Sequence, residues 1–267
     1  MNELAQLSLL TLGVVFGLMW LLWVVSLVKR DASIVDPFWG AGFAVVAWVA
    51  AAWHDFQGPR TLLLVGLTTA WGLRLSLHLL IRNRGEGEDY RYRAMRDKHG
   101  PRFWWVSGFT VFGLQAAIMW IVSWPIQFGG GLTTSSSPGL GWLDFAGLAV
   151  WLIGFAFESV GDYQLAKFKS DAANRGRVLD SGLWRYTRHP NYFGDFCVWW
   201  GLFLVAAGGG AWWTILSPLL MSFLLIKVSG VSMLEKTISN RRPEYEAYIR
   251  RTSAFFPWPP KRPQASH

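Results

Sequence analysis

The chain has 267 residues, of which 52% are hydrophobic and only 16% are charged, and its formal net charge is +8. A soluble domain is nearer a quarter charged, so this composition excludes an ordinary soluble protein and indicates a polytopic helical membrane protein. The alternating segments of a membrane β-barrel are absent, and the single Cys197 excludes an internal disulfide and a thiolate metal cluster.

Seven apolar stretches are long enough, at roughly 17–25 residues, to cross a bilayer as helices. The sequence therefore predicts an all-α fold with seven transmembrane helices. These helices are predicted at residues 4–28, 38–53, 61–81, 103–126, 140–160, 190–207 and 212–231.

Basic residues gather on one side of this topology. Lys29, Arg30, the segments 82–102 and 167–188 and the C-terminal tail lie on that side, whereas Arg60 alone lies on the other. The positive-inside rule then places the N-terminus outside and the C-terminus in the cytosol. Because topology explains the basic residues, we expect no nucleic-acid partner. A site built from the polar segments would use a cytosolic cofactor.

Residues 184–200 combine basic, aromatic and polar side chains with the start of an apolar run. Pro190 is predicted to be a first helical residue, since its missing N–H costs nothing there. The free N–H groups of a helix start, with Arg188 and His189 beside them, predict an anion site. A basic anchor at lipid headgroups is the alternative. The stretch also holds polar side chains that an anchor does not need, namely Tyr186, Asn191, Tyr192 and Asp195.

Glu158 and Asp162 lie one turn apart at the cytosolic end of the fifth predicted helix. Ionisable groups inside a membrane segment are expensive and usually functional, although a structural pair with a nearby cation is the alternative. The segment that follows suits a polyphosphate ligand or lipid headgroups equally well. It carries four cations, namely Lys167, Lys169, Arg175 and Arg177.

Two further groups could carry chemistry. Arg74 and His78 are four residues apart and share one face of the third helix, where His78 is either a proton donor or a structural histidine. Asp36 either caps the second helix or protrudes into a cavity. In the tail, Tyr245 and Tyr248 have helical spacing and either cluster with Arg251 in a site or belong to an amphipathic surface helix.

Several familiar devices are missing from the sequence. It has no G-x-G-x-x-G, no Walker sequence and no G-x-S-x-G, so a nucleotide would not be held by a Rossmann or P-loop device. Its five histidines show no metal-ligand spacing, and we expect no metal site.

The motif RHPNYFGD, the preceding GRVLDSGLW and the closing YEAYIRRTSAFFPW resemble the motifs of membrane sterol C14 and C7 reductases. The early segments VDPFWG and RLSLHLLIRNRGEGEDYRY are similar to the bacterial branch of the steroid 5-alpha-reductase family, the 3-oxo-5-alpha-steroid 4-dehydrogenases. The resemblance covers nearly the whole chain and is most specific in the last hundred residues.

This resemblance implies one integral membrane domain, in which residues 1–130 form the substrate cavity and residues 140–260 grip NADPH. The implied reaction is hydride transfer to an α,β-unsaturated ketone of a steroid-like lipid that enters from the bilayer. Carried over by motif, the NADPH-binding residues are Asp162, Arg177, Tyr186, Arg188, His189, Asn191, Tyr192, Asp195, Tyr245 and Arg251. We add Lys169, Glu235, Lys236 and Tyr248 to the predicted cofactor set.

The catalytic assignment departs from the family pattern. Steroid 5-alpha-reductases bind the substrate carbonyl with a Glu and a Tyr, but the position aligned with that Tyr is Trp71. Asp36 is our candidate acid, with Arg74 and His78 as helpers. Glu158 takes the place of a family polar residue near the nicotinamide. The departure bears on the identity of the steroid more than on the reductase chemistry.

Two other functions compete with this prediction. Isoprenylcysteine and phospholipid methyltransferases share the R-H-P-x-Y turn but bind S-adenosylmethionine, and they carry paired glutamates where this chain has Glu235 and Lys236. A transporter or lipid-binding protein would spread polar residues through its helices, whereas here they gather on one face. We expect a monomeric enzyme of the bacterial inner membrane, in contact with membrane lipids.

Overall fold

The computed structural model describes residues 2–130, 139–228 and 243–261. Within these ranges every regular element is helical, and the β-bridge between Thr187 and Ser253 is isolated, which confirms the all-α fold. The α-helices, numbered in chain order, are α1 Glu3–Lys29, α2 Val35–Trp53, α3 Pro59–Asn83, α4 Tyr90–His99, α5 Phe103–Ser107, α6 Leu114–Val122, α7 Trp124–Phe128, α8 Trp142–Ser170, α9 Pro190–Gly208, α10 Leu216–Phe223 and α11 Pro243–Arg251.

Shorter helical turns connect several of these helices. The segment Gly108–Gly113 is a π-helical stretch that joins α5 to α6, and a second one, Leu224–Val228, extends α10. The fourth predicted span is therefore helical as far as Val122 but locally underwound at the π-helical stretch, a feature that is frequent at functional sites. The 3₁₀ turns are Ala32–Ile34, Gly100–Arg102, Ala172–Asn174, Gly182–Arg185 and Trp212–Ile215.

Five helical stretches of the described chain are long and apolar enough to cross a membrane, and they correspond to the first five predicted spans. The other two predicted spans are also helical where they are described: α9 matches the sixth, and the shorter apolar stretch Trp212–Val228 matches the start of the seventh. The five stretches are Glu3–Lys29, Ala32–Trp53, Pro59–Asn83, Tyr90–Val122 and Trp142–Ser170.

One boundary differs from the sequence prediction in a way that matters for the site. Helix α8 continues to Ser170, about three turns past the predicted end at residue 160. Its last turn carries Lys167 and Lys169, and cations there interact favourably with the helix dipole. Asp162 consequently lies within a helix instead of opening an irregular segment.

The described chain divides into two compact units, of which the first contains residues 1–145 and 202–217. Its α2 and α3 cross at Gly40 and Gly72, where an added Cβ on either residue would collide with the carbonyl of the other. This close backbone approach requires glycine on both helices. Next to it, the Ser76 hydroxyl accepts a hydrogen bond of 2.8 Å from the Ala41 amide and fixes the register of the two helices.

The same unit contains a buried ion pair that the sequence did not predict. The Arg60 guanidinium donates to both carboxylate oxygens of Asp144, at 2.7 and 2.8 Å. Asp144 also accepts a hydrogen bond of 2.8 Å from the Gly141 amide at the start of α8. Arg60, the basic residue expected on the poorly charged side, is thus neutralised by a partner 84 positions along the chain.

Candidate functional site

The second unit, residues 146–201 and 218–267, contains most of the predicted cofactor residues. Its α8 and α9 approach closely through glycines seven residues apart. A Cβ added to Gly194 would lie 2.6 Å from the Gly154 carbonyl oxygen, and one added to Gly201 would lie 2.7 Å from that of Gly147. Since the backbones touch, polar side chains at the end of this crossing are brought together.

Asp162 and Asn191 meet at that end of the crossing. The Asn191 side-chain amide donates to Asp162 Oδ1 at 3.1 Å, and Asp162 is buried. Helix α9 begins at Pro190, as the sequence predicted, so Asn191 lies in its first turn. Glu158, one turn before Asp162, is also buried, and its backbone packs against Gly194. The carboxylate of Asp162 and the amide of Asn191 therefore meet at the start of α9, and Glu158 lies beside its next turn.

The turn before α9 is held by the C-terminal segment. The Arg188 amide donates to the Ser253 carbonyl at 2.9 Å, and the Thr187 hydroxyl donates to the Phe255 carbonyl at 2.8 Å. The Tyr248 hydroxyl donates to the Trp184 carbonyl. Burial raises the pKa of Tyr248 above its usual range, so this phenol stays a donor at neutral pH. Residues 245–261 thereby become part of the site.

Arg188, a predicted cofactor-binding residue, also holds the C-terminal segment in place. It is buried, and its Nη1 donates to the carbonyls of Ile249 and Thr252 at 3.1 and 2.6 Å. These carbonyls belong to the last turn of α11 and the residue after it. Removing this guanidinium would release the C-terminal segment, so the loss of a ligand in an Arg188 variant would not by itself identify a ligand contact.

The other predicted cofactor residues fall into groups. The rings of His189 and Tyr192 stack at 5.6 Å, those of Tyr245 and Tyr248 lie 5.7 Å apart on α11, and Arg251 pairs with Asp180. Asp195 follows one turn along α9. The more exposed members of the set are Lys169, Arg177 and Tyr186. Glu235 and Lys236 lie outside the described residues.

In the first unit, Asp36 belongs to a polar network with Arg91, Tyr92 and Gln115, the Asp36 network. Its two carboxylate oxygens accept hydrogen bonds from the Tyr92 hydroxyl at 2.6 Å and from Arg91 Nη2 at 2.7 Å. Gln115 Nε2 donates to the Tyr92 oxygen at 3.3 Å. Asp36 lies in the first turn of α2 and binds these side chains instead of capping the helix.

Sequence reasoning missed Tyr92 as a partner of the predicted acid. A usable signal was Asp89, whose side chain accepts a hydrogen bond from the Arg91 amide and caps α4. Because α4 begins directly after Asp89, Tyr92 lies in the first turn of a helix and not in an irregular charged segment. Trp71, which occupies the position of the family tyrosine, is instead buried and packs against Phe43 at 5.8 Å.

The predicted helpers of Asp36 both lie on α3. Arg74 and His78 are half-buried on α3. Ser76 lies two residues from each of them and faces α2, where it bonds to Ala41.

Two carboxylates just outside the spans fasten the segment that leads into α4. Partial burial opposes ionisation of Glu88, but hydrogen bonds from Arg96 and from the Ala32 amide hold its pKa below the ordinary 4.5. The pKa of Asp89 is likewise lowered, because hydrogen bonds from Arg91 outweigh its burial. Both groups are therefore charged at neutral pH and keep the Arg91 and Arg96 side chains in place.

A family pattern described as a protein of unknown function, DUF1295, matches residues 22–252 of this chain. The chain belongs to the DUF1295 family. DUF1295 proteins are steroid 5-alpha-reductase-like membrane proteins. The match includes the Asp36 network, the α8–α9 crossing and Arg251, and it ends before the last residues of the C-terminal segment.

One relative among the curated proteins also has no assigned function. It is an uncharacterized protein of Schizosaccharomyces pombe, 23% identical over 88% of this chain and 75% of its own length. No solved structure matches the chain. The DUF1295 membership therefore defines the kind of protein.

Proposed function

We propose that this DUF1295 protein is an NADPH-dependent reductase that transfers hydride to the C=C bond of an α,β-unsaturated ketone of a steroid-like lipid. The observation that carries the proposal is the arrangement at the start of α9, where Asn191 and Asp162 meet at 3.1 Å beside a turn that the C-terminal segment holds. The RHPNYFGD motif supplies this turn, and its resemblance to the reductases supplies the reaction class.

The residues at this turn have the chemistry that a dinucleotide requires. Asn191 and Asp162 offer an amide and a carboxylate, which suit carboxamide and ribose hydroxyl groups. The stacked rings of His189 and Tyr192 offer a flat surface. Arg251 and Arg177 supply cations for phosphates, and the first amides of α9 add donors at a helix N-terminus. The set therefore fits NADPH.

Bound NADPH would supply the hydride that forms the new C–H bond at the β-carbon of the substrate. As that bond forms, negative charge develops on the carbonyl oxygen, and a proton is then taken up at the α-carbon. The protein must stabilise this charge with a placed donor or acid. We assign this duty to Asp36 together with Tyr92, which takes the part of the missing family tyrosine. Arg74 and His78 remain proposed helpers, and Glu158 is proposed to lie near the nicotinamide.

The proposed setting is a bacterial inner membrane. We propose seven spans, in which α9 and the stretch that starts at Trp212 join the five helices that are long enough to cross a bilayer. Basic residues then lie on the cytosolic side, the cofactor binds from the cytosol, and the apolar substrate arrives among membrane lipids. We propose that the enzyme acts as a monomer.

The test is cofactor binding to the full chain purified in detergent. We expect NADPH to bind, and Asn191→Ala to weaken that binding about tenfold, a loss of about 1.4 kcal/mol, because an amide contact is lost. Asn83→Ala is the matched control, since Asn83 lies in the first unit and accepts a hydrogen bond from Arg82. Binding of S-adenosylmethionine in place of NADPH would assign the chain to the methyltransferases and refute the proposal.

A further inference from the structure

A cavity of about 360 Å³ opens where the chain turns back on itself after α11, and we call it the terminal cavity. The turn is fixed by two backbone hydrogen bonds, from the Lys261 amide to the Arg251 carbonyl and from the Trp258 amide to the Tyr186 carbonyl, both 2.9 Å. The lining residues that matter below are Arg188, Arg250, Arg251, Ser253, Trp258 and Lys261.

The terminal cavity is strongly cationic. Four of its lining residues are basic and none is acidic. Outside the lining, Asp180 pairs with Arg251, and Glu246 lies 3.9 Å from Arg250 in an exposed pair of little strength. Even if both acids count in full, the four cations exceed the two anions by two charges. A surplus of this kind in a concave site attracts anions.

A purely structural explanation accounts for only part of this surplus. Arg250 and Arg251 lie in the last turn of α11, where cations favour the helix dipole. Arg188 is occupied with the carbonyls of Ile249 and Thr252 and shapes the wall of the cavity. Lys261 is ten positions beyond the helix, and it reaches the cavity only because the chain doubles back.

The remaining lining groups suit a ligand that carries phosphate. Ser253 contributes a hydroxyl, and arginine and lysine together supply the fork and point charges that phosphate oxygens prefer. Trp258 lines the rim with an indole that is 71% exposed. Such a ring is suited to contact a base or the interfacial region of a bilayer. Trp258 and Lys261 lie beyond the residues matched to DUF1295.

We propose that the terminal cavity is a phosphate-binding site. Its ligand is the phosphate of a soluble nucleotide or the headgroup phosphate of an anionic membrane lipid. Arg188 and Arg251 line the cavity and also belong to the proposed cofactor set, whereas Arg250 and Lys261 lie outside it. Substitutions at Arg250 and Lys261 therefore test the terminal cavity separately from the reductase proposal.

The test measures binding of phosphate-bearing probes to the full chain in detergent by calorimetry. The soluble probe is adenosine 2′,5′-bisphosphate, and the lipid probe is dioctanoyl phosphatidylglycerol with dioctanoylglycerol as its phosphate-free counterpart. We expect saturable binding of at least one phosphate-bearing probe. The double variant Arg250→Gln, Lys261→Gln should weaken it about tenfold, since two charge-assisted contacts are lost.

The controls separate charge from folding and identify the source of the phosphate. Lys98→Gln removes an exposed cation in the first unit and should leave binding unchanged, and Arg250→Lys, which keeps the charge, should retain it. Binding of the bisphosphate alone assigns a nucleotide, and binding of phosphatidylglycerol alone assigns a lipid headgroup. Equal binding of dioctanoylglycerol, no binding of either phosphate probe, or unchanged binding in the double variant would overturn the proposal.

Discussion

Two acid–arginine pairs in the first unit have the same chemistry and opposite settings. In the Arg60–Asp144 pair the side chains are 5% and 0% exposed, and two parallel hydrogen bonds join them. In the pair of Arg91 with Asp36 the side chains are 36% and 15% exposed, and the second carboxylate oxygen accepts from a tyrosine hydroxyl. The first pair is therefore fully buried, whereas the second is partly exposed.

The difference teaches how to separate structural charges from functional ones in a chain of this kind. A buried pair with all its bonds made inside the protein has little capacity left for a ligand, and its loss is felt as instability. A carboxylate that is partly exposed and bonded to a phenol can rearrange its hydrogen bonds when a carbonyl approaches. We therefore place the chemistry at Asp36 and assign Arg60 and Asp144 to the framework.

The largest effect is expected when the buried Arg60–Asp144 pair is broken. Asp144→Ala leaves the buried Arg60 charge uncompensated and should lower the free energy of unfolding by about 3–5 kcal/mol. Thermal unfolding of the detergent-purified chain measures this loss. The apolar double variant Arg60→Met, Asp144→Leu should regain most of the stability. As a control, Glu246→Ala, in an exposed pair, should change the free energy of unfolding by less than about 1 kcal/mol. A similar loss in the control would contradict the framework assignment.

The next largest effect is expected at the partly exposed pair of Arg91 with Asp36. Asp36→Asn and Tyr92→Phe should each lower turnover about 100-fold, because the developing charge on the carbonyl oxygen loses its donor or acid. NADPH affinity should stay within about twofold, since neither residue is in the proposed cofactor set. Steady-state rates and cofactor titrations on the same preparations measure both quantities. Trp39→Phe, which removes a donor to Gln115 but spares Asp36 and Tyr92, is the matched control. Normal turnover in both variants would remove the Asp36 network from the mechanism.

The smallest effect is a pH dependence of the melting temperature that is due to Glu88. Because the pKa of Glu88 is lowered in the folded protein, its bond to Arg96 stabilises the fold above about pH 4.5 and is lost as the pH falls through the lowered value. The melting temperature of the native chain should therefore exceed that of Glu88→Gln at neutral pH, and the gap should close in acid. Glu86→Gln, a change at an exposed neighbour, should show no such convergence. A gap that stays constant with pH would show that the charge of Glu88 is not what stabilises the segment.

The sequence predicted the features that depend on local pattern. Apolar length gave the helices, the missing N–H of Pro190 placed the start of α9, and the spacing of Tyr245 and Tyr248 put them on one face of a helix, as their ring contact confirms. The apolar pattern underestimates the length of α8, because the charged residues of its last turns interact favourably with the helix dipole and continue the helix beyond the apolar stretch.

The contacts that build the site could not be predicted in the same way. Tyr92 meets Asp36 across 56 positions, and Arg188 meets the carbonyl of Thr252 across 64. Such partners depend on how helices pack, and periodicity along one helix contains no information about the residue that approaches from another. The buried pairing of Arg60 was hidden for the same reason, since its partner begins a different helix.

The most direct test of the account follows a labelled hydride. The full chain in detergent is incubated with NADPH deuterated at C4 of the nicotinamide and with a 3-oxo-4-ene steroid, and the product is analysed by mass spectrometry and NMR. The account predicts one deuterium on the β-carbon of a saturated ketone, with one NADP⁺ formed per product. An unchanged enone across a panel of such ketones, or a methylated product when S-adenosylmethionine is supplied, would contradict it.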